Sequence, residues 1–424
     1  MEKLVVNSGN QLLGDVDISG AKNAALPLLA SSILAEGEYC FSNVPDLLDI
    51  KTMLTLLEGL CISSKFKGKD IIIKNDGQDG QDDKSHMVAY DLVKKMRASI
   101  LVLGPLLAKT KKAKISFPGG CAIGERPIDQ HVKALIAMGA HIDVKHGYIE
   151  ANCDYLKGCD INFDMITVTG TENIVMASVL AKGETVIYNA AQEPEVVDLC
   201  NLLRKMGAQI EGDGSNTIRV KGVEGLEPAS YRVMGDRIEA STFLCALAAA
   251  GGDIILRNAP AGSMSVVVEK LLETGLEIHV LDNNTIRARK EIAVKSADII
   301  TQPYPGFPTD MQAQFMAVMS SAAGVSVITE GIFENRFMHV AELKRMGADI
   351  VLKDHSAIVK GVRNLTGTDV VCTDLRAGAG LVVAALLAEG RSNIHSIYHI
   401  ERGYDSFDEK LRLLGADIKK VESE

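Results

Sequence analysis

Met138-Gly139-Ala140-His141-Ile142, Met206-Gly207-Ala208-Gln209-Ile210 and Met346-Gly347-Ala348-Asp349-Ile350 are three copies of one short phrase, and its recurrence decides the fold. Looser copies read Leu56-Leu57-Glu58-Gly59-Leu60-Cys61-Ile62, Thr274-Gly275-Leu276-Glu277-Ile278 and Leu414-Gly415-Ala416-Asp417-Ile418. The glycines at 59, 139, 207, 275, 347 and 415 are spaced by 80, 68, 68, 72 and 68 residues. An apolar run, then Gly, a small residue and Ile, reads as a helix closed by a left-handed glycine just before a strand. All six glycines are assigned that role.

A second phrase lies about half a period upstream: a small apolar helix that ends in Ala-x-Gly. It reads Leu34-Ala35-Glu36-Gly37, Leu180-Ala181-Lys182-Gly183 and Leu387-Ala388-Glu389-Gly390. The closing strands of each unit carry turn residues, as in Leu281-Asp282-Asn283-Asn284-Thr285. The result is an α/β chain of six repeated βαβαββ-like units. A period near 70 residues is too long for a solenoid, whose units run about 20–50. Six large mixed units fit two three-unit domains better, with a boundary near Leu226-Glu227-Pro228.

Composition agrees. The chain has 424 residues, 47% of them hydrophobic, but only 4% aromatic and no Trp. Ala, Gly and aliphatic side chains must therefore fill the interior. The formal charge is -10, and no dense basic patch stands out, so nucleic acid is not an expected partner. No stretch approaches the ~18 apolar residues of a membrane span, and Met1-Glu2-Lys3-Leu4-Val5-Val6 is not a signal-peptide start. A cytoplasmic protein is expected. Eight cysteines occur without a CxxC pair, so reduced thiols are expected, with no metal site and no disulfide framework.

Two positions in the repeat collect charge. One is the start of the small helix: Gly20-Ala21-Lys22-Asn23, Met96-Arg97-Ala98-Ser99, Gly170-Thr171-Glu172-Asn173, Asp236-Arg237-Ile238-Glu239, Pro308-Thr309-Asp310-Met311 and Asp374-Leu375-Arg376-Ala377. Helix N-termini suit anions, whereas Lys22, Arg97 and Arg376 work against the dipole. Any one of them alone reads as an ordinary surface charge; together they suggest an anion site. Asp310 is the best placed carboxylate for a general base, although an acid in the first turn is also a common cap.

The other position is the loop after the next strand. It holds Pro118-Gly119-Gly120-Cys121-Ala122-Ile123-Gly124-Glu125-Arg126-Pro127, Gly331-Ile332-Phe333-Glu334-Asn335-Arg336 and Ile400-Glu401-Arg402-Gly403-Tyr404. Equivalent loops thus deliver Arg126, Arg336 and Arg402, whose forks match carboxylate and phosphate. Cys121 sits among glycines beside Arg126 and Arg97, where a thiol pKa should fall. It reads as a nucleophile or general acid. The other seven cysteines read as core. No His-Asn/Asp partner lies nearby, so a hydrolytic triad is not indicated.

These segments resemble the UDP-N-acetylglucosamine enolpyruvyl transferases. Seven motifs in order carry the resemblance: Ser19-Gly20-Ala21-Lys22-Asn23-Ala24, Met96-Arg97-Ala98-Ser99, Pro118-Gly119-Gly120-Cys121 with Arg126-Pro127, Pro308-Thr309-Asp310-Met311-Gln312, Phe333-Glu334-Asn335-Arg336-Phe337-Met338, Thr373-Asp374-Leu375-Arg376-Ala377 and Glu401-Arg402-Gly403-Tyr404. The resemblance implies an inside-out α/β barrel in two domains. The first is 22–230, which carries the Cys121 loop, and the second is 1–21 plus 231–424.

It also implies a reaction. The sugar 3-hydroxyl adds to phosphoenolpyruvate, and phosphate then leaves, which is the first committed step of peptidoglycan synthesis and so serves cell-wall growth, shape and division. No cofactor, metal or obligate protein partner is implied. Lys22, Arg126 and Arg402 would hold the phosphate, with Asn23 beside them, and Arg336 and Arg376 would hold the carboxylate. Cys121 would protonate the methylene carbon and can form an adduct with the same substrate. Asp310 would take the hydroxyl proton. The nucleotide sugar would touch Asn23, Arg97, Arg126, Pro127, Ile128, Asp129, Gln130, Thr167, Val168, Asp310 and Ile332. One departure is Met165, where some members carry Lys. Two alternatives are weighed: the sister enzyme acting on shikimate 3-phosphate, which would lack the Gly-Gly-Cys loop and place Lys-Ser at the first helix, and a non-catalytic scaffold that binds the nucleotide sugar.

Overall fold

The structure is a computed structural model. It describes residues 2–77, 87–88, 96–116 and 128–422, without the side chains of Met87, Val88 and Arg97. Among the described residues, six four-stranded sheets share one strand order. The third unit shows the plan. Strand Asp160–Asn162 leads to helix Val168–Ser178 and strand Glu184–Tyr188; helix Pro194–Lys205 follows, then strands Gln209–Glu211 and Thr217–Lys221. The first two strands pair in parallel, and the last two complete the sheet antiparallel. The helix between parallel strands is the crossover that such pairing requires.

The chain does not keep its units in simple succession. Strand Glu2–Asn7 lies between Arg391–His395 and Asp417–Glu422, and so completes the sixth sheet. Leu12–Asp17 pairs in parallel with Gly252–Arg257 as first strand of the fourth sheet. Tyr231–Arg232 does the same for Gly37–Ser42 in the first. Among the described residues two compact units result: those through Ser19 with those from Gly235 onward, and those between Gly20 and Met234. Each contains three of the sheets.

Within the unit from Gly235 onward, the core is helical. Arg237–Ala250, Gln312–Met319 and Leu375–Leu387 are buried almost throughout and pack on one another. Their Ala- and Gly-rich sequences permit this. A Cβ on Gly380 would lie 2.9 Å from the Ala313 carbonyl oxygen, so only Gly lets these backbones meet. The helices Ser265–Glu273, Val340–Arg345 and Phe407–Leu413 are instead half-buried and amphipathic.

The closing glycines behave as expected at five of six places. Gly139, Gly207, Gly275, Gly347 and Gly415 have φ between 91 and 107°. Each shows the paired Schellman bonds; Ala140 N–H donates to Leu135 O and Gly139 N–H to Ile136 O, at 3.0 and 2.9 Å. The first unit differs. Gly59 ends the helix Leu48–Gly59, and the left-handed residue is Cys61, at φ 64°. Leu60 is fully buried there and anchors the helix end in the core, so the reversal falls two residues later. A second correction concerns the third unit. Its small helix begins at Val168, capped by Thr167 Oγ1 accepting from Gly170 N–H at 3.2 Å, ahead of the expected Gly170 start.

Candidate active site

The charged residues singled out by the repeat divide between the two units. In the unit from Gly235 onward, Asp310 lies in the 3-10 turn Thr309–Met311 that opens the buried helix Gln312–Met319. Arg376 sits in the first turn of Leu375–Leu387, capped by Asp374. Arg336 follows strand Val325–Thr329. All three meet. Arg336 Nη2 lies 2.7 Å from Asp310 Oδ1, and Arg376 Nε and Nη2 lie 3.0 and 2.9 Å from Oδ2.

Arg376 is almost fully buried, yet its Nη1 has no hydrogen-bond partner. Its guanidinium carbon stacks 5.2 Å over the Tyr404 ring. Burial is the largest influence and lowers its pKa, but the charges of Asp310, Tyr404 and Asp236 with the Tyr404 contact together outweigh it and raise it. Burial pushes the Tyr404 hydroxyl up, with Arg376 opposing. That hydroxyl lies 3.0 Å from both Thr242 Oγ1 and Gln314 Nε2.

A residue missed from the sequence orders this cluster. Glu330 is buried, and its carboxylate accepts from Thr301 and Thr309 hydroxyls and from the N–H groups of Ile332 and Phe333, at 2.7–3.2 Å. Thr309 Oγ1 in turn accepts from Arg336 Nη1 at 2.8 Å. Ile332 is therefore held through its backbone while its side chain is exposed. His339, also missed, is buried behind Arg336. Burial lowers its pKa to about 4, with Asp374 opposing and Arg336 assisting, so it is neutral at pH 7. Arg402 ends a 3-10 helix, Ile397–Arg402, where a loop was expected.

In the other unit, Lys22 starts helix Lys22–Ala30, is buried, and lies 3.4 Å from Asp49. Asn23 follows it on the helix, half-buried. Arg97 opens the 3-10 helix Arg97–Val102. Ile128 is buried and Asp129 exposed at the start of helix Asp129–Ala137. Gln130 braces residues 164–165: its Oε1 accepts from Asp164 N–H at 2.8 Å and its Nε2 donates to Met165 O at 3.1 Å. This leaves Thr167 and Val168 half-buried and the Met165 side chain 61% exposed. His131 Nδ1 lies 2.9 Å from Asn173 Nδ2, a buried pair 42 residues apart in sequence that carried no local signal. Cys121, Arg126 and Pro127 lie outside the described residues.

Among the described residues, no group of three or more His, Cys, Asp or Glu side chains is placed to hold a metal ion, and no helix is long and apolar enough to cross a membrane.

Comparison with known proteins supplies the family. Residues 6–411 match the family described as EPSP synthase (3-phosphoshikimate 1-carboxyvinyltransferase). UDP-N-acetylglucosamine 1-carboxyvinyltransferase of Geotalea uraniireducens (strain Rf4) is 53% identical over 422 residues, covering all of both chains. The protein of the same name from Myxococcus xanthus (strain DK1622) is 50% identical over 99% of each. The enolpyruvyl transferase NikO from Streptomyces tendae superposes with a TM-score of 0.87 at 22% identity, over 100% of this chain and 99% of that one. EPSP synthase from Acinetobacter baumannii gives 0.77 at 20%, over 100% of both. The last two show the fold, which is the enolpyruvyl transferase type. With half of its residues shared from end to end with such relatives, the chain belongs to the family of the UDP-N-acetylglucosamine 1-carboxyvinyltransferases.

Proposed function

We propose that this chain transfers the enolpyruvyl group of phosphoenolpyruvate to the 3-hydroxyl of UDP-N-acetylglucosamine and releases phosphate. The observation that carries the reading is the arrangement of two buried arginines on one carboxylate, with Arg376 Nη1 left unpaired. A buried guanidinium with a spare N–H fork is a ready partner for a planar carboxylate. Asp310 offsets one of the two positive charges and leaves the other for a bound anion. A substrate carboxylate bound by Arg336 and Arg376 competes for the same N–H groups, and so frees Asp310 oxygens to accept the hydroxyl proton. The base is thereby released only when the acceptor for the enolpyruvyl group has something to attack.

The remaining roles complete the reaction. Lys22, Asn23, Arg126 and Arg402 bind the phosphate end. Cys121 protonates the methylene carbon as the sugar oxygen attacks the adjacent one; phosphate then leaves as the Cys121 thiolate takes a proton back from the new methyl group, which forms the enol ether. A thiol with an ordinary pKa near ~8.5 can donate at neutral pH. Preorganised arginines stabilise the charge that develops. Arg97, residues 126–130, Thr167, Val168 and Ile332 hold the nucleotide sugar. The step belongs to peptidoglycan synthesis in the cytoplasm, and serves cell-wall growth and division.

Phosphate release is the test. It should appear only with phosphoenolpyruvate and UDP-N-acetylglucosamine together. Release with shikimate 3-phosphate instead would assign the sister reaction, and no release with either would leave a binding scaffold.

A further inference from the structure

Asn173 is fully buried in the helix Val168–Ser178, and its side-chain amide reaches three other elements. Its Oδ1 accepts from Gly104 N–H at 2.6 Å, near the start of helix Leu103–Thr110. Its Nδ2 donates to Ile100 O at 3.0 Å, in the 3-10 helix Arg97–Val102. The same Nδ2 lies 2.9 Å from Nδ1 of His131, in helix Asp129–Ala137. The two backbone partners fix which end of the amide is which. Nδ2 therefore faces His131 as a donor, and Nδ1 must accept. The ring carries its proton on Nε2, 3.4 Å from Thr169 Oγ1. The fit is close by construction: a Cβ on Gly104 would overlap both the side-chain and the backbone oxygen of Asn173.

These bonds are not scattered through the core. Ile100 lies three residues after Arg97, His131 two after Asp129, and Asn173 five after Val168. Each is within about a turn and a half of the point where its element begins. Those beginnings carry Arg97, Ile128, Asp129, Gln130, Thr167 and Val168. Gln130, beside His131 in sequence, fixes residues 164–165 in turn.

We propose that Asn173, acting through His131, positions the nucleotide-sugar half of the site. This rests on the assignment of those element starts to UDP-N-acetylglucosamine. One amide holds three starts at a fixed spacing, so the nucleotide sugar meets a preformed surface and does not have to order it. Neither Asn173 nor His131 needs to touch the ligand. Without the bond between them, helix Asp129–Ala137 can shift against the other two elements, and a misplacement of about 1 Å can cost on the order of a hundredfold.

Phosphate release with each substrate varied tests this in His131→Leu, His131→Asn and Asn173→Leu. His131→Leu deletes the acceptor, whereas His131→Asn puts an amide oxygen near the place of Nδ1. The expected result for His131→Leu is a KM for UDP-N-acetylglucosamine at least tenfold higher, with that for phosphoenolpyruvate within about twofold of wild type. His131→Asn should return to within about threefold. Asn173→Leu should show the same split, and His131→Leu added to it should cost nothing more, because both act through one bond. Should Asn173→Leu fail to fold, the two His131 variants decide. An equal rise in both KM values, or a folded His131→Asn no better than His131→Leu, would overturn the proposal. A wild-type chain that releases no phosphate with UDP-N-acetylglucosamine would overturn the functional reading and the proposal with it; a working wild type beside indifferent variants would overturn the proposal alone.

Discussion

Arg376 grips Asp310 through Nε and Nη2, at 3.0 and 2.9 Å, and keeps Nη1 buried without a partner. A pair built for stability alone would satisfy all the N–H groups, because an orphaned buried donor costs about 1–3 kcal/mol. The spare group is therefore better explained as awaiting an anion. Arg376→Lys keeps the charge and loses the fork. Loss of one charge-assisted bond, about 1.5–3 kcal/mol, should lower kcat/KM roughly ten- to a hundredfold. The KM for phosphoenolpyruvate should rise while that for the nucleotide sugar stays near wild type. Steady-state kinetics varying each substrate would check this; an equal effect on both KM values would argue against a carboxylate contact.

Glu330 gives a second, separable prediction. Its Oε1 accepts from two hydroxyls and two backbone N–H groups, and its Oε2 accepts from Thr309. Glu330→Gln can keep the Oε1 contacts but turns an N–H donor toward Thr309, whose oxygen already accepts from Arg336. The expected stability loss is about 1–2 kcal/mol. Activity should fall further than stability explains, since Arg336 loses its second anchor. Thermal denaturation beside kinetics would separate the two; full activity in Glu330→Gln would show that Thr309 does not position Arg336.

Asp310, Arg336 and Arg376 were legible because the repeat put unusual residues at equivalent positions, and equivalent positions of one fold face the same way. Glu330 was not legible. Glutamate is rarely buried, and its role exists only once Thr301, Thr309 and the 332–333 backbone surround it. The closing glycines were legible because left-handed φ favours one residue type. The same rule failed at Gly59, since burial of Leu60 decided where the turn fell. The helix start at Val168 was not legible, because it depends on Thr167 Oγ1 accepting from Gly170 N–H, a contact that no local pattern announced.

Close helix packing yields a third prediction. A Cβ at Gly380 would lie 2.9 Å from a backbone carbonyl on the neighbouring buried helix, with no flexible side chain to yield. Gly380→Ala gains helix propensity of about 1 kcal/mol, yet must push two helices apart, which costs about 1–3 kcal/mol. The net effect should be destabilising. Denaturant unfolding would measure it, and a stabilised Gly380→Ala chain would show that the two helices have room to separate.

Asp198 ties burial to pH. Tyr231 donates to its Oδ1 at 2.8 Å and Met234 N–H to its Oδ2 at 3.3 Å, next to the unit boundary between Met234 and Gly235. Burial raises its pKa from 3.8 to about 6, with Tyr231 and Met234 opposing and Glu195 adding to the rise. Between those two values the folded chain binds a proton that the unfolded chain has released. Stability therefore falls as pH rises through that window. Asp198→Asn keeps an acceptor for Tyr231 and carries no charge, so it escapes this loss. Relative to wild type, the variant should gain stability from pH 4 to pH 6 and then level off, by at most about 3 kcal/mol. Urea unfolding of both chains at each pH gives the difference directly. A difference that does not change between pH 4 and pH 7 would mean that Asp198 is ionised in the fold, and that Tyr231 and Met234 offset the cost of its burial.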